Sequence, residues 1–293
     1  MHSAEISQQL RAFRLRSGLR AEDIATKIGI SSAAFYRYER SGVVKLETIV
    51  RLAELMEISP LTLLGIGIEY YSRPCDYIER ASKIEESTDQ IIQMGVLFSY
   101  LNTSDDYDLI LRNIIEEYLE SADVDKENIL ASSMETLDLL SERKKIFVAR
   151  PPSVITILTV SAVKKFIEDG IGGSLPLSVR LKKQSREVAR HEIQRVIDFM
   201  DSEQIGLQFG LVAGVELNGP FVLMRTASDR SIVAINPFPI HAIASACCGV
   251  AMITAMEDAV TPHQQIAEAK WRDATKGPAA AKQIKALLAA KMA

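Results

Sequence analysis

Most of the features that assign a chain to a chemistry at sight are missing from these 293 residues. No apolar run approaches the roughly 20 residues of a membrane helix, so no spanning segment is expected. The opening residues, MHSAEISQQLRAF, lack the charged-then-apolar layout of a secretory leader, and a cytoplasmic protein is expected. Cys75, Cys247 and Cys248 are too few for a disulfide framework, and their spacing fits no zinc motif. The adjacent Cys247 and Cys248 lie in an Ala-rich apolar run with no Lys, Arg or His close by to lower a thiol pKa. They read as core residues, with oxidant sensing as the alternative.

Catalytic constellations are missing too. Phospholipase-D chemistry needs a His and a Lys two apart, and none of His2, His191, His241 and His263 has that partner. Ala213-Gly214 could be cut by a nucleophile such as Ser245, but no lysine lies between Gly214 and Lys270 to activate the serine. Gly170, Gly172 and Gly173 lack the preceding strand and the following Lys-Ser/Thr of a phosphate loop, and read as a flexible connection. Asn236-Pro-Phe-Pro239 reads as a rigid strand terminator, or else as the lining of a pocket at a sheet edge. The expectation is a protein that is not an enzyme and holds no cofactor and no metal.

A large excess of positive charge is also lacking. The net charge is −4, yet it is unevenly spread. Residues 1–68 hold 9 Lys/Arg against 7 Asp/Glu, and the remainder holds 25 against 31. A slightly basic head on an acidic body suits contact with nucleic acid through one face only.

What is present begins with LRAEDIATKIGISSAAFYRY, Leu19 to Tyr38. Ile24 and Ile28 are four apart and share a helix face, while Ala25 leaves room for a second helix to cross. Gly29 marks the turn, where a positive φ is cheap only for glycine. Ile30 closes the core side of that turn, and Ser31 or Ser32 can cap the helix that follows. Phe35 and Tyr38 turn the second helix inward, leaving Ser32, Ala33, Tyr36, Arg37 and Arg40 facing out. This is the pattern of a helix-turn-helix. Upstream, Ile6, Leu10, Phe13 and Leu15 mark an amphipathic helix that carries Arg11, Arg14 and Arg16. Downstream, Leu46, Ile49, Val50, Leu52, Ala53 and Met56 mark another, and Ser59-Pro60 opens a short last one. Five helices are thus expected in about 65 residues.

The spaced residues Leu19, Ile24, Ala25, Gly29, Ile30, Ser31, Phe35, Tyr38, Glu39, Gly42, Leu46, Leu52, Ala53, Ile58 and Leu63 resemble the Cro/C1-type, or XRE-like, helix-turn-helix regulators. The resemblance covers about a quarter of the chain. It departs from the family at Ala21, where a DNA-contacting Gln is frequent; the neighbouring Arg20 offers a substitute phosphate contact. In that family the second helix of the pair enters the major groove. The resemblance implies that Ser32, Ala33 and Arg37 face base edges, with Arg37 reading a guanine or else positioning the domain on a phosphate. Arg14, Arg16, Arg20, Lys27, Arg40 and Lys45 are candidate phosphate contacts. Tyr36 reaches a phosphate through its hydroxyl or packs, and Glu39 anchors the domain through Arg14 or a backbone amide.

Beyond residue 68 the chain reads as a second domain, 69–293. The spacing predicts helices over about 69–102, 104–121, 123–142, 153–168 and 177–202, with a glycine-marked loop at 169–176. The period then changes to that of strands at 205–212, 221–227 and 231–236. A buried helix at 242–260, another opened by Pro262 and a small amphipathic one at 279–292 follow. The overall class is α+β: a five-helix all-α head, then a mainly helical domain with a small β-sheet. The run from Arg180 to Phe238 resembles the C-terminal domains behind Cro/C1-type modules in some bacterial regulators, some related to non-catalytic phospholipase-D-like folds.

One such head offers few base contacts, so a homodimer on an inverted repeat of double-stranded DNA is expected. The second domain is expected to dimerise and to sense a small-molecule effector or a partner. The alternative is an antitoxin-like or scaffold protein whose second domain grips a protein partner and whose DNA binding is autoregulatory.

Overall fold

The computed structural model describes the chain except residues 1–5, 8–9, 12–13, 16–17, 43–44, 57–59, 65–66, 96, 98–99, 122–125, 204–205, 215–218, 228–229, 237, 239–248 and 291–293. It divides into two compact units, one of residues 1–69 with 254–257 and the other of residues 70–253 with 258–293.

In the first unit, Ile6, Ser7, Leu10, Arg11, Arg14 and Leu15 are helical. Four short helices follow: α1 (Ala21–Ile28), α2 (Ser32–Ser41), α3 (Leu46–Leu55) and α4 (Pro60–Leu63). Their core is wholly apolar and built around Leu10, Ile24, Phe35, Leu52 and Leu63, each fully buried. Ala21 and Ala25, also buried, keep α1 slim where its neighbours approach. Two expected core residues point outward: Leu15 is 67% and Leu46 68% exposed. Leu15 lies five residues after Leu10, about 140° round the helix from that buried stripe. Leu46 is the first residue of α3, ahead of the turn that packs. Phe13, Ile58 and Ser59 lie outside the described residues.

The second unit is α+β, with a sheet larger than the three strands read from the sequence. Its elements are β1 (Ile68–Tyr71), α5 (Pro74–Glu85), β2 (Thr88–Met94), α6 (Asp105–Ser121), α7 (Lys126–Ala149), β3 (Ser153–Thr159), α8 (Val160–Asp169), α9 (Val179–Ser202), β4 (Leu207–Val212), β5 (Phe221–Thr226), β6 (Ser231–Ile235), β7 (Ala251–Thr254), α10 (Glu257–Asp273), β8 (Thr275–Lys276) and α11 (Gly277–Ala289). The eight strands are ordered β1-β7-β6-β5-β2-β3-β4-β8. The neighbours β2, β3 and β4 are parallel, whereas β5 runs antiparallel to β2, β6 to β5 and β8 to β4. One sheet face, with Leu158, Phe209 and Leu211, packs on Val163, Ile193, Val196 and Ile284 of α8, α9 and α11. The other, with Met94, Ile157, Val212 and Leu223, packs on Val260, Ala267 and Trp271 of α10.

Three segments differ from the helical reading. Residues 69–102 form β1, α5, β2 and a short 3-10 turn at Tyr100–Asn102 rather than one helix. Pro74 opens α5, and β2 then lies between β3 and β5 with Ile91 fully buried. The expected helix at 153–168 is strand as far as Thr159. Ser-Val-Ile-Thr-Ile-Leu-Thr is largely buried between two parallel neighbours. A strand covered on both faces shows no alternation, so spacing cannot separate it from a buried helix. Where a helix was expected at 242–260, residues 251–254 are strand. Cys247, Cys248, Ser245 and His241 lie outside the described residues. Pro262 does not open a helix but sits inside α10. The helices at 105–121 and 179–202 and the strands β4, β5 and β6 fall where the sequence places them.

The glycine-marked loop has a packing role. Residues 170–172 are buried, and Gly172 N–H donates to Ser185 Oγ of α9 at 3.1 Å. A Cβ on Gly170 would meet that oxygen at 2.6 Å, and one on Gly172 would meet Leu177 Cδ1 at 2.5 Å. The glycines allow close approach of helix and loop, which differs from the flexible connection expected.

Candidate nucleic-acid interface

The candidate site is the outer face of α2, held at a fixed angle by the turn before it. At the end of α1, Gly29 adopts φ 73°, and Ile30 N–H closes on Ala25 O at 2.9 Å. That left-handed residue with its back-reaching bonds ends α1 in a defined direction. Ser31 then caps α2 with extended backbone, its Oγ accepting from Ala34 N–H at 3.2 Å. Of the two serines considered, Ser31 is the cap.

Phe35 and Tyr38 anchor the inner face of α2 in the core. On the outer face Ala33, Tyr36, Arg37 and Arg40 are exposed and Ser32 is half-buried. The structure thus puts Ala33 and Arg37 on the accessible side of one helix, with the half-buried Ser32 on its flank, about 140° round from Arg37. The guanidinium of Arg37 lies 5.6 Å from the ring centre of Tyr38 and forms no ion pair with a described residue.

The phosphate candidates fall into three groups. Lys27, Arg40 and Lys45 are exposed, and none forms an ion pair with a described residue. Arg20 is exposed but paired with Asp23 through two contacts of 3.0 and 3.1 Å. That contact raises the Arg20 pKa and lowers that of Asp23. Arg14 is committed to the scaffold. Its Nε donates to Glu39 Oε1 at 2.7 Å and its Nη2 to Glu39 Oε2 at 3.2 Å. The two-pronged bond to Glu39 raises the Arg14 pKa, and it ties the first helix to α2 in the geometry arginine favours. Arg16 lies outside the described residues. The Tyr36 hydroxyl, exposed at the surface, donates to Glu22 Oε1 at 3.4 Å.

One supporting residue was missed by the sequence reading. Arg51 of α3 donates from Nη1 to Ile28 O at 3.3 Å and from Nη2 to Glu47 Oε1 at 2.6 Å. It ties α3 to a carbonyl at the end of α1, and a Cβ on Gly29 would lie 3.2 Å from its Nη1. The spacing of Glu47 and Arg51, four apart on a helix, was the available signal.

Comparison with known proteins bears on this region alone. A family model described as a helix-turn-helix domain matches residues 5–63. No curated protein and no solved structure matches the chain. Residues 5–63 are a helix-turn-helix domain, and among the described residues no helix is long and apolar enough to cross a membrane.

Proposed function

We propose that this chain, with a helix-turn-helix domain at its head, is a non-enzymatic, sequence-specific transcription regulator of the Cro/C1 type. The carrying observation is the outer face of α2, which presents Ala33 and Arg37, with Ser32 on its flank, on a helix fixed by the Ser31 cap and the Arg14–Glu39 bond. Laid in the major groove, Arg37 pairs with O6 and N7 of a guanine, and Ala33 meets a thymine methyl. Lys27, Arg40 and Lys45 meet phosphates, joined by Arg20 and Tyr36 when Asp23 and Glu22 release them. Arg14 acts through Glu39 on the orientation of α2.

The regulator works as a homodimer on an inverted repeat, since two heads about one helical turn apart supply the base contacts that one lacks. The second unit dimerises and responds to a small molecule or partner, which acts only by binding one dimer arrangement better than another. The cavity lined by Gln90, Ile92, Leu223, Arg225, Ser231 and Gln264 has a volume of about 10 Å³, water-sized, and is not the effector site.

The test is fluorescence anisotropy of the full chain on duplex DNA from upstream of its own gene, with random duplex as competitor. A saturable complex that resists the competitor is expected, with Arg37→Ala losing about 1–3 kcal/mol of discrimination. Equal affinity for both duplexes in the wild-type chain would remove the sequence-specific reading.

A further inference from the structure

Charge in the second unit is unevenly shared among its helices. Residues 105–142, which supply α6 and most of α7, carry 12 Asp/Glu against 2 Lys/Arg. Residues 160–195, which supply α8 and most of α9, carry 8 Lys/Arg against 4 Asp/Glu. This basic stretch stands in a region, 69–293, that is otherwise acidic, with 17 Lys/Arg against 27 Asp/Glu outside it.

The helices α8 and α9 pack side by side, and Arg186 Nε of α9 donates to Glu168 O of α8 at 2.7 Å. Lys182, Lys183, Arg186 and Arg190 run down that flank of α9 at helical spacing. Lys164 and Lys165 are exposed on α8, as are Arg180, Lys183 and Arg186 on α9. Lys164, Lys165, Arg180, Lys182 and Lys183 form no ion pair with a described residue. Elsewhere in the same unit Lys83, Arg112, Arg143, Lys144, Arg150 and Lys285 each have an acidic partner. Of the acidic residues within 160–195, Glu192 is buried and lies 3.5 Å from Arg195. Glu168 and Asp169 are half-buried at the end of α8, and Glu187, one turn after Lys183, is the exposed carboxylate of the stretch.

We propose that the α8–α9 ridge is a second phosphate-binding surface, which engages the backbone of duplex DNA without reading its sequence. The inference rests on the DNA-reading assignment of the head. That head offers few uncommitted cations, because Arg14 and Arg20 are paired to Glu39 and Asp23. A duplex carries a negative charge about every 1.7 Å of its axis, so a ridge of spaced lysines meets it without detailed shape matching. A head already on DNA holds the ridge at high local concentration, where contacts too weak to act alone contribute.

The test uses the full chain and its Lys164→Gln/Lys165→Gln/Lys182→Gln/Lys183→Gln variant, titrated on upstream and random duplexes of about 40 base pairs across a salt series. Loss of four phosphate contacts lowers the slope of log affinity against log salt by up to about 3.6. The expected result is a slope reduced by at least about 2, affinity for both duplexes down tenfold or more, and preference for the upstream duplex retained. Arg37→Ala gives the opposite pattern, with preference lost and slope changed by no more than about 1. Arginine at the four lysine positions restores the wild-type slope. If the glutamine variant does not fold, Lys182→Gln/Lys183→Gln alone carries the test, with a slope change of about 1–2 expected. A wild-type slope in the glutamine variant, while Arg37→Ala still loses preference, overturns the ridge and spares the head. No binding of any duplex by the wild-type chain overturns both. Salt-sensitive self-association without DNA, lost in the glutamine variant whose DNA slope is unchanged, would assign the ridge to the acidic helices α6 and α7 of a second copy instead.

Discussion

The head and the second unit bury different chemistry. Among the described residues of 1–68, the head buries beside its apolar cluster only Ser7, Thr48 and one two-pronged ion pair, Glu39 and Arg14, whose side chains are 8% and 25% exposed. The second unit buries Thr88, Gln93, Ser133, Thr136, Thr156, Ser185 and the charged Glu192. It also holds Glu85 and Arg143, 11% and 16% exposed, in a two-pronged pair beside the buried Tyr77. An apolar core is indifferent to which side chain sits opposite which, within limits of volume. A buried charge is tolerated only with its partner in place, and removing one member leaves the other stranded. The head is therefore a small scaffold whose precision lies in caps, turns and the single Arg14–Glu39 pair, and the second unit is one whose helices are registered by several buried polar contacts.

The largest effect that sharpens this contrast is Phe35→Ala. Phe35 is fully buried between the short helices of the head, and deleting such a ring costs about 3–5 kcal/mol. Peptides from residues 19–56 should exchange amide hydrogens orders of magnitude faster than in the wild type. The second unit should hold, and Trp271, the only tryptophan, reports it: its ring packs on Gly210 of β4. A urea midpoint by Trp271 fluorescence that moves with Phe35→Ala would break the division into separately stabilised units.

A smaller effect is alkaline and belongs to the second unit. Burial pushes the Tyr77 hydroxyl up to about 12, with Arg143 opposing and Glu85 adding to the shift. Burial likewise raises Tyr100 and Tyr107. The neutral phenol is the form the fold favours, so its contribution is complete below the unfolded value near 10. It is lost as pH rises from about 10 through 12, and for Tyr77 amounts to about 2–3 kcal/mol. Urea unfolding followed by Trp271 should show a second unit weaker at pH 11 than at pH 8. Tyr77→Phe should shrink that difference, and an unchanged difference would remove Tyr77 from the explanation.

The same contrast explains what was legible in the chain. The head was readable because its determinants are local. Gly29, Ser31, Phe35 and Tyr38 fix a turn, a cap and an inward face within a dozen residues, and of the two anchors open to Glu39, Arg14 or a backbone amide, the structure shows the bond to Arg14. The outward set on α2 followed by subtraction. The centre of the sheet was not readable, because β2 and β3 are defined by neighbours far away in sequence. Ile91 pairs with Val154 and Met224, and Ile157 with Gly210. Their apolar spacing fits a helix equally well until those partners are known. The strands β4 to β6 were read correctly because turns rich in Gly, Pro, Ser and Asp separate them.

The smallest effect compares one device used in both units. Ser31 caps α2 and Thr159 caps α8, each through a side-chain oxygen that accepts from an N–H three residues on, at 3.2 and 3.1 Å. Ser31 is exposed, so in Ser31→Ala water takes over the freed N–H, and the cost is at most about 1 kcal/mol. Thr159 is buried at the end of β3, where its oxygen also accepts from Ser161 Oγ at 3.1 Å. Thr159→Ala leaves the half-buried Ala162 N–H without its acceptor and empties a buried site, while the exposed Ser161 hydroxyl turns to water, and the cost rises to about 2 kcal/mol. Urea unfolding should rank the two in that order, with Thr159→Ala seen by Trp271 and Ser31→Ala silent there. The ranking reverses for DNA. Ser31→Ala frays the first turn of α2, which carries Ser32 and Ala33, so operator affinity should fall several-fold while Thr159→Ala leaves it unchanged. If Ser31→Ala leaves operator affinity untouched, the first turn of α2 does not meet the bases, and the base-reading assignment contracts to Arg37 alone.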